Sequence, residues 1–279
     1  MIRVLLVGAN SALARASMPI LAKDYELITA GRHNCDIDCD ITKEIVIPSG
    51  IDAIVNFTAA FGGMSDEDIR EAEDINALGL LCICSAAKRA SVKHIINISS
   101  LSATHTKESP YYTIYAISKK HGDELAEFYC AQHGLALSIL RPSQIFGDDG
   151  SFARHQPFFW GAVEKAAKGQ DIVIYGKHDP LRNYIHAVDL AELLRRVIAE
   201  RIVGAYSCQY PMDVTFSQIA QTAQRTFGRG GTITFLHDKP DIPDNVFPKD
   251  ETLYEKTGYR PKISLEVGMQ RIERRQEAI

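Results

Sequence analysis

The stretch Ile2–Ala14, which reads IRVLLVGANSALA, decides the fold of this 279-residue chain. Ile2–Val7 is a continuous apolar run, and such a run predicts a strand that is buried on both faces, as in a parallel sheet. A tight turn begins at Gly8, and a helical pattern extends from Leu13 to Lys23. A buried strand that leads directly into a helix is the first half of a βαβ unit, so this stretch indicates an α/β protein.

The alternation of strand and helix patterns continues through the first half of the chain. Apolar runs predict further strands at Tyr25–Ala30, Ile51–Phe57, Val92–Ile98 and Leu135–Leu140, and helical patterns cover Asp66–Ala90 and Tyr111–His133. Strands and helices repeated in tandem predict an α/β fold with a doubly wound parallel sheet of the Rossmann type.

The regular alternation fades after about residue 150, where aromatic residues and prolines become more frequent. Helical patterns there cover Phe159–Lys168, Val188–Arg201 and Thr215–Phe227, and Lys239–Pro248 is predicted to be a surface loop. We therefore predict a Rossmann domain over residues 1–155 and a smaller α/β lobe over residues 156–279, with some strands of the lobe returning to the first sheet.

Composition and charge exclude several classes of protein. The chain has 31 Lys and Arg against 35 Asp and Glu, a net charge of −4, which gives no electrostatic basis for binding nucleic acid or an anionic membrane. Its apolar runs are shorter than the roughly 18 residues of a membrane span, and we expect no signal peptide. The six cysteines predict a reduced, cytoplasmic location, and Cys35 and Cys39 lack the second ligand pair of a metal site.

The turn after the first strand carries the first chemical signal. In a dinucleotide-binding fold this turn presents backbone N–H groups to phosphate oxygens at a helix N-terminus, so its residues must be small. Ser11 stands where a second glycine is usual, and Ala14 where a third is. The Ser11 hydroxyl either donates to a phosphate or weakens cofactor binding, and a plain strand–helix turn is the alternative interpretation. The predicted cofactor-binding residues of this turn are Gly8, Asn10, Ser11, Ala12 and Leu13.

The end of the second predicted strand bears on the choice of cofactor. Sites that prefer NAD usually carry an Asp or Glu there, which accepts from the ribose 2′-hydroxyl. This chain has Gly31 and Arg32 instead, and a guanidinium pairs well with a 2′-phosphate. The sequence therefore predicts NADP rather than NAD, unless Arg32 is simply an exposed surface arginine. We expect Asp40 and Ile41 beside the adenine ring, where a third strand would end.

Tyr115 and Lys119 form the second chemical signal. Residues at positions i and i+4 of a helix lie on one face, and an ammonium near a phenol lowers the pKa of the phenol from its usual value of about 10. The pair would then supply a general acid or base near neutral pH. Upstream, a predicted strand ends in Ser99 and Ser100, whose hydroxyls either bind a substrate oxygen or cap the next turn.

Taken in order, these motifs resemble the short-chain dehydrogenase/reductase superfamily, in its extended branch of sugar-nucleotide epimerases, dehydratases and reductases. The resemblance covers essentially the whole chain. Its further motifs are Val55–Ala60 at the fourth strand, Asn76 on a helix, Arg141–Gly147 after the sixth strand, Ile174–Gly176 with Arg182–Asp189 in the C-terminal lobe, and Gly258–Pro261 with Ser264–Glu266 near the end.

The resemblance implies roles for individual residues. Tyr115 would be the catalytic acid or base, Lys119 would hold the nicotinamide ribose and lower the Tyr115 pKa, and Ser100 would bind the reacting oxygen. Arg182 would pair with a nucleotide-sugar pyrophosphate, with an ion pair inside the lobe as the alternative. The other expected cofactor-binding residues are Thr58, Ala59, Ala60, Asn76, Ser99, Pro142, Gln144 and Ile145.

Departures from the family pattern narrow the expected reaction. The sugar 4,6-dehydratases of the family carry Asp-Glu after the catalytic Ser or Thr, whereas this chain has Leu101 and Ser102, which argues against dehydration. The extra Cys and His bases of some epimerase–reductases have no clear counterpart.

The leading hypothesis is therefore an enzyme, an NADPH-dependent reductase of a nucleotide-activated keto sugar. The alternatives are a sugar-nucleotide epimerase that retains NAD, a reductase of a carbonyl substrate without a nucleotide, and a non-catalytic NADP-binding scaffold. The resemblance also implies a homodimer formed through the helices predicted at Asp66–Ala90 and Tyr111–His133, although these helices would equally cover the sheet.

Overall fold

The computed structural model describes residues 1–277, which divide into two units. The first unit comprises Met1–Pro142, Leu190–Cys208 and Asp250–Tyr259. The second comprises Ser143–Asp189, Gln209–Lys249 and the described residues from Arg260 onward. The first segment of the first unit ends at Pro142, because the strand that follows Ser143 pairs within the second unit.

The strands are β1 (Ile2–Val7), β2 (Tyr25–Gly31), β3 (Ile37–Asp38), β4 (Ala53–Asn56), β5 (His94–Ile98), β6 (Ala136–Pro142), β7 (Gln144–Phe146), β8 (Ile172–Tyr175), β9 (Leu181–Arg182), β10 (Tyr184–His186), β11 (Gly204–Cys208), β12 (Val214–Thr215) and β13 (Ile233–Leu236). The α-helices are α1 (Ala12–Leu21), α2 (Asp66–Glu73), α3 (Gly79–Arg89), α4 (Ile114–His133), α5 (Pro157–Ala167), α6 (Ala187–Glu200), α7 (Phe216–Phe227), α8 (Thr252–Thr257) and α9 (Leu265–Glu277).

A seven-stranded parallel sheet organises the first unit. Its strand order is β11-β6-β5-β4-β1-β2-β3, which places β1 and β4 side by side at its centre. Every residue of β4 and β5 is buried, as expected of strands that helices cover on both faces. One side of the sheet packs on α3 and α4 through a core that includes Leu5, Ile54, Ile95, Leu80 and Ile83. The predicted doubly wound parallel α/β fold is confirmed.

The long helix predicted over Asp66–Ala90 is interrupted. A single π-helical segment, Asp74–Leu78, separates α2 from α3. At this segment the backbone carbonyl of Asn76 approaches Gly122 of α4 so closely that a β-carbon at position 122 would clash with it. The extra residue of a π turn bulges the backbone outward, and such bulges are frequent at functional sites.

In the described part of the second unit, three two-stranded sheets are combined with the helices α5, α7 and α9. β7 pairs with β10 and β8 with β13 in parallel, whereas β9 pairs with β12 antiparallel. Phe146, Phe159 and Tyr184 form the aromatic centre of its core. Asp189 accepts from the backbone N–H groups of residues 262 and 263, at 3.0 and 2.8 Å, and so ties that loop in place.

Within residues 1–277, no helix combines the length and apolar character that crossing a membrane requires.

Candidate active site

Gly8 shapes the turn between β1 and α1. Its φ of +78° belongs to the left-handed region that favours glycine, and its N–H donates to the Ala30 carbonyl at 2.9 Å. A β-carbon at this position would lie 2.9 Å from Thr58 Cγ2 and 3.0 Å from Thr58 N. The turn is therefore pressed against the residues that follow β4, and only glycine permits this approach.

Ser11 is the N-cap of α1. Its Oγ accepts from the Ala14 N–H at 3.2 Å, which satisfies one of the free N–H groups of the first helical turn. Among the described residues, the N–H groups of Ala12 and Leu13 donate to no protein acceptor, so they remain for an external one. The cap does not consume the Ser11 hydroxyl proton. The turn therefore offers free backbone N–H groups and a hydroxyl at a helix N-terminus, which suits the phosphates of a dinucleotide.

Asn10 contacts Arg15 and the segment after β2 that carries Arg32. The Arg15 guanidinium donates to the Asn10 carbonyl, and the Asn10 side-chain amide donates to the His33 carbonyl at 2.5 Å. Arg32, adjacent to His33, is exposed and has no hydrogen-bond or ion-pair partner among residues 1–277. Arg15 was missed by the sequence analysis, although its position in the first turn of a helix after the glycine turn was a usable signal.

The residues expected at the adenine lie after β3. This strand ends at Asp38 and not at residues 40–42, because Asp40 forms a tight turn in which its carboxylate accepts from the Thr42 N–H and hydroxyl at 3.1 and 2.8 Å. These hydrogen bonds lower the pKa of Asp40, and the one from the Thr42 hydroxyl has the larger effect. The Ile41 side chain is buried against Gly79 of α3.

Asp38 is an acidic residue that the sequence analysis did not weigh. In the parallel pairing of β2 with β3 it lies opposite Gly31, next to Arg32. The pairing of two distant short segments brings it there, so inspection of the β2 end alone could not find it.

Ser100, Tyr115 and Lys119 come together in the first unit. Ser100 follows β5, and Tyr115 and Lys119 lie one turn apart on α4. The Ser100 and Tyr115 side chains are hydrogen-bonded to each other, and Ser100 Oγ also accepts from the Ser102 N–H at 3.1 Å. The ring of Phe61 stacks on that of Tyr115, with centroids 4.8 Å apart. This arrangement holds a phenol and a hydroxyl close enough to share one substrate oxygen.

The Lys119 ammonium is held by two backbone carbonyls. Its Nζ donates to the carbonyls of Thr58 and Ile98, each at 3.2 Å, and the side chain is buried. An ammonium has three N–H donors, so one remains for a further acceptor. Burial lowers the pKa of Lys119 to about 8, although the Asp123 carboxylate acts in the opposite direction.

The pKa of Tyr115 moves against expectation. Burial raises the pKa of this phenol to about 12, the hydrogen bond from Ser100 opposes the shift, and the charge of Asp123 adds to it. The Lys119 ammonium does not produce the expected lowering of this pKa. At neutral pH the phenol is therefore protonated and suited to giving a proton.

Asn76 fixes the backbone at Ala60. Its Oδ1 accepts from the Ala60 N–H at 3.0 Å, and its Nδ2 donates to the Ala60 carbonyl at 2.6 Å and to Ser118 Oγ at 2.9 Å. The π-helical segment thus holds Ala60, the last residue of Thr58–Ala60, the predicted cofactor segment after β4. In this structure Asn76 contacts that segment and α4 directly.

A buried carboxylate, Asp123, was also missed. Its oxygens accept from Asn97 Nδ2 at 3.2 Å, from Ser99 Oγ at 2.9 Å and from Arg141 Nε at 2.9 Å. Burial raises the pKa of Asp123, and the Arg141 cation acts to lower it. The usable signal was its position, four residues after Lys119 on the same helical face.

The remaining predicted residues lie on both sides of the unit boundary. Pro142 ends β6 and is paired with Cys208 of β11 in the first unit. In the second unit, β7 carries Gln144 and Ile145, which pair with Tyr184 and Ile185 of β10.

Arg182, expected at a pyrophosphate, is buried in the second unit. Its Nη1 donates to the carbonyls of Leu181 and Pro243 at 2.7 and 2.9 Å, and its guanidinium carbon lies 4.8 Å from the ring centroid of Phe216. These contacts hold the guanidinium within the unit. No cluster of three metal-ligating side chains occurs in the part of the chain that the structure describes.

Comparison with known proteins agrees with this geometry. The family model "NAD dependent epimerase/dehydratase family" matches residues 4–207. GDP-L-fucose synthase of Escherichia coli (strain K12) is 27% identical over 172 residues, which cover 56% of this chain and 53% of that protein. The chain spans about half the length of the curated relatives it matches.

Solved structures share the fold over the whole chain. UDP-N-acetylglucosamine 4-epimerase from Bacillus cereus superposes with a TM-score of 0.80 at 15% identity, covering 100% of this chain and 98% of that one. RMD from Pseudomonas aeruginosa, complexed with NADPH, gives a TM-score of 0.80 at 14% identity, with 100% of both chains covered.

The fold is that of an extended short-chain dehydrogenase/reductase, as the sequence predicted. The chain belongs to the NAD dependent epimerase/dehydratase family.

Proposed function

We propose that this protein is an NADPH-dependent reductase that converts a keto group of a nucleotide-activated sugar to a hydroxyl. The observation that carries the proposal is the hydrogen-bonded Ser100–Tyr115 pair, one helical turn from the Lys119 ammonium. Family membership and the similarity to GDP-L-fucose synthase support a sugar nucleotide as substrate.

Each residue of the site has a distinct task in this reaction. When bound, the nicotinamide supplies the hydride that the sugar carbonyl carbon receives. Ser100 donates a hydrogen bond to the carbonyl oxygen and orients it. Tyr115 gives its phenolic proton to that oxygen, which becomes the hydroxyl. Lys119 would hold the ribose with its remaining N–H. Because burial raises its pKa, Tyr115 carries its proton at neutral pH, which is the state that a proton donor in a reduction requires.

The cofactor would lie along the strand ends of the first unit. Gly8 and the N–H groups of Ala12 and Leu13 would face the pyrophosphate. Arg15 and Arg32 would bind the 2′-phosphate. Asp40 and Ile41 would border the adenine, with Ile41 contributing its backbone because its side chain is buried in the core. The ribose side would be faced by Thr58, Ala59, Ala60 and Ser99. The nicotinamide would be faced by Pro142, Gln144 and Ile145.

Cofactor choice is tested by fluorescence titration with NADPH and NADH. We expect NADPH to bind at least about tenfold more tightly, and Arg32→Ala to remove most of this preference while leaving NADH affinity within about twofold. Arg70→Ala, which removes an exposed arginine on α2, is the matched control and should leave both affinities unchanged. Tighter binding of NADH would contradict the NADP assignment.

Turnover is tested with Tyr115→Phe, which keeps the ring stacked on Phe61 and removes the hydroxyl. Reduction of a panel of nucleotide-linked keto sugars, GDP-linked sugars first, should fall by about 10²- to 10⁴-fold. NADPH affinity should stay within about twofold. Tyr129→Phe on the same helix is the control. Unchanged turnover in Tyr115→Phe would contradict the role of Tyr115.

One observation favours a second candidate, an epimerase that retains NAD. Asp38 lies opposite Gly31, where an acidic side chain is placed to accept from a ribose 2′-hydroxyl. If denatured protein releases NAD and the purified protein does not consume NADPH, this candidate replaces the reductase. Protein that binds neither nucleotide would contradict both candidates.

A further inference from the structure

The Asp123 carboxylate is the centre of a buried polar network in the first unit. Its residue is 1% exposed, and its three hydrogen-bond donors come from β5, from Ser99 after β5, and from β6. Both carboxylate oxygens of Asp123 accept hydrogen bonds, and among residues 1–277 neither faces an acceptor to which an O–H could donate. The group is therefore an ionised carboxylate and not a protonated acid.

This network reaches the first carbonyl that holds Lys119. Ile98 lies between Asn97 and Ser99, and both of these neighbours donate to Asp123. The backbone of Ile98 is thereby anchored on both sides, and its carbonyl accepts from Lys119 Nζ at 3.2 Å.

The network reaches the second carbonyl through two amides. Asn97 Oδ1 accepts from Asn56 Nδ2 at 3.0 Å. Asn56 Oδ1 accepts from the Thr58 N–H at 3.1 Å and from the Thr58 hydroxyl at 2.7 Å. The carbonyl of Thr58 then accepts from Lys119 Nζ. Both oxygens that fix the ammonium are thus positioned by side chains connected to Asp123.

The negative charge of Asp123 also acts directly on Lys119 and Tyr115. It lies one turn after Lys119 on α4, and in the described part of the chain the charged or titratable groups that face it are Tyr115 and Lys119 on α4 and Arg141 on β6. The neighbouring strands β4 and β5 contribute only amides and, after β5, a hydroxyl. A negative charge here stabilises an ammonium and disfavours a phenolate.

We propose that Asp123 is a positioning residue that keeps Lys119 protonated, fixes the two carbonyls that hold it, and thereby sets the pH range of the Ser100–Tyr115–Lys119 site. It contacts neither Tyr115 nor a substrate directly in this scheme, and it acts through Lys119 and the backbone.

The protonation of Lys119 can be followed without any cofactor. In protein labelled with ¹³C at the lysine ε-carbons, the Lys119 resonance is identified by its loss in Lys119→Met, and its midpoint is read from a pH titration. Asp123→Asn should lower the midpoint by about one pH unit, because an attractive charge is removed. An unchanged midpoint would overturn the electrostatic part of the proposal.

Two variants separate charge from packing. Asp189→Asn makes the same chemical change at a buried acid of the second unit, and should reduce stability without moving the Lys119 midpoint. Asn97→Ala keeps the charge of Asp123 but cuts the connection to Asn56 and Thr58.

NADPH affinity tests the geometric part, and this readout rests on the proposed function. Asn97→Ala should weaken NADPH binding about three- to tenfold, with the pH dependence of binding kept. In Asp123→Asn the affinity should fall off at lower pH than in the wild type. If Asp123→Asn fails to fold, Asn97→Ala alone tests the geometric part of the proposal. Unchanged NADPH affinity with lowered thermal stability in Asn97→Ala would mean that the network is purely structural. Wild-type protein that binds no NADPH would overturn the proposed function but leave the lysine titration valid.

Discussion

Replacing Gly8 with alanine measures how strongly the first turn depends on close approach. The positive φ costs an L-residue about 1–2 kcal/mol. The new β-carbon would also lie 2.9 Å from Thr58 Cγ2, 3.0 Å from Thr58 N and 3.2 Å from Phe57 C. Two of these atoms are backbone and cannot turn aside, so overpacking adds about 1–3 kcal/mol. Gly8→Ala should therefore lower the free energy of unfolding by about 2–5 kcal/mol.

Gly134→Ala is the matched control. Gly134 ends α4 with a φ of +64°, and a β-carbon there would have no heavy atom within 4 Å. This substitution carries the backbone cost without the steric one, about 1–2 kcal/mol. The reduced freedom of the unfolded chain is the same in both variants and cancels in the comparison.

Urea unfolding and NADPH titration together provide the assay. Gly8→Ala should unfold at a clearly lower urea concentration than Gly134→Ala, and it alone should weaken NADPH binding, by at least about tenfold, because the turn must open. Equal destabilisation by the two substitutions would refute the steric reasoning.

Two further predictions concern buried polar groups. Asn76→Ala strands the buried N–H and carbonyl of Ala60 and should lower the free energy of unfolding by about 2–5 kcal/mol, measured in urea. Asp148 accepts from His186 and, in two hydrogen bonds, from Arg271; burial opposes the shift, but these contacts hold its pKa well below the usual value. Because this pKa is depressed in the folded state, the contribution is complete above the unfolded pKa of about 3.9 and is lost as the pH falls further. The difference in thermal stability between wild type and Asp148→Asn should therefore be constant near pH 7 and shrink below about pH 4, and a constant difference down to pH 2 would contradict this reasoning.

The strands of the sheet were readable from sequence because they are buried on both faces. The predicted strand Ile2–Val7 is found unchanged as β1, and the prediction for β2 is one residue short. The strand predicted at Val92–Ile98 begins two residues later, at His94, because Val92 is still in the turn after α3, where its N–H donates to the Ala87 carbonyl.

The interrupted helix and the domain boundary were not readable. The π-helical segment exists where Gly122 of α4 meets Asn76, and no local pattern in residues 66–90 encodes a contact with residue 122. Similarly, the unit boundary at residue 142 depends on β7 pairing with β10, some forty residues later. Hydrophobic periodicity reports which face of an element is buried, not which element buries it.

The sequence by itself determined the parallel α/β architecture, the glycine turn, the absence of an acid at the end of β2, and the order of Ser100, Tyr115 and Lys119. Each of these depends on residue types at fixed spacing along one or two neighbouring elements. Only the tertiary structure decided how these groups are tuned. Burial, not Lys119, sets the Tyr115 pKa, and Asp123 gathers donors from segments that are 18 to 26 residues away in the chain. Desolvation and the convergence of distant donors are properties of packing, and spacing along the chain does not carry them.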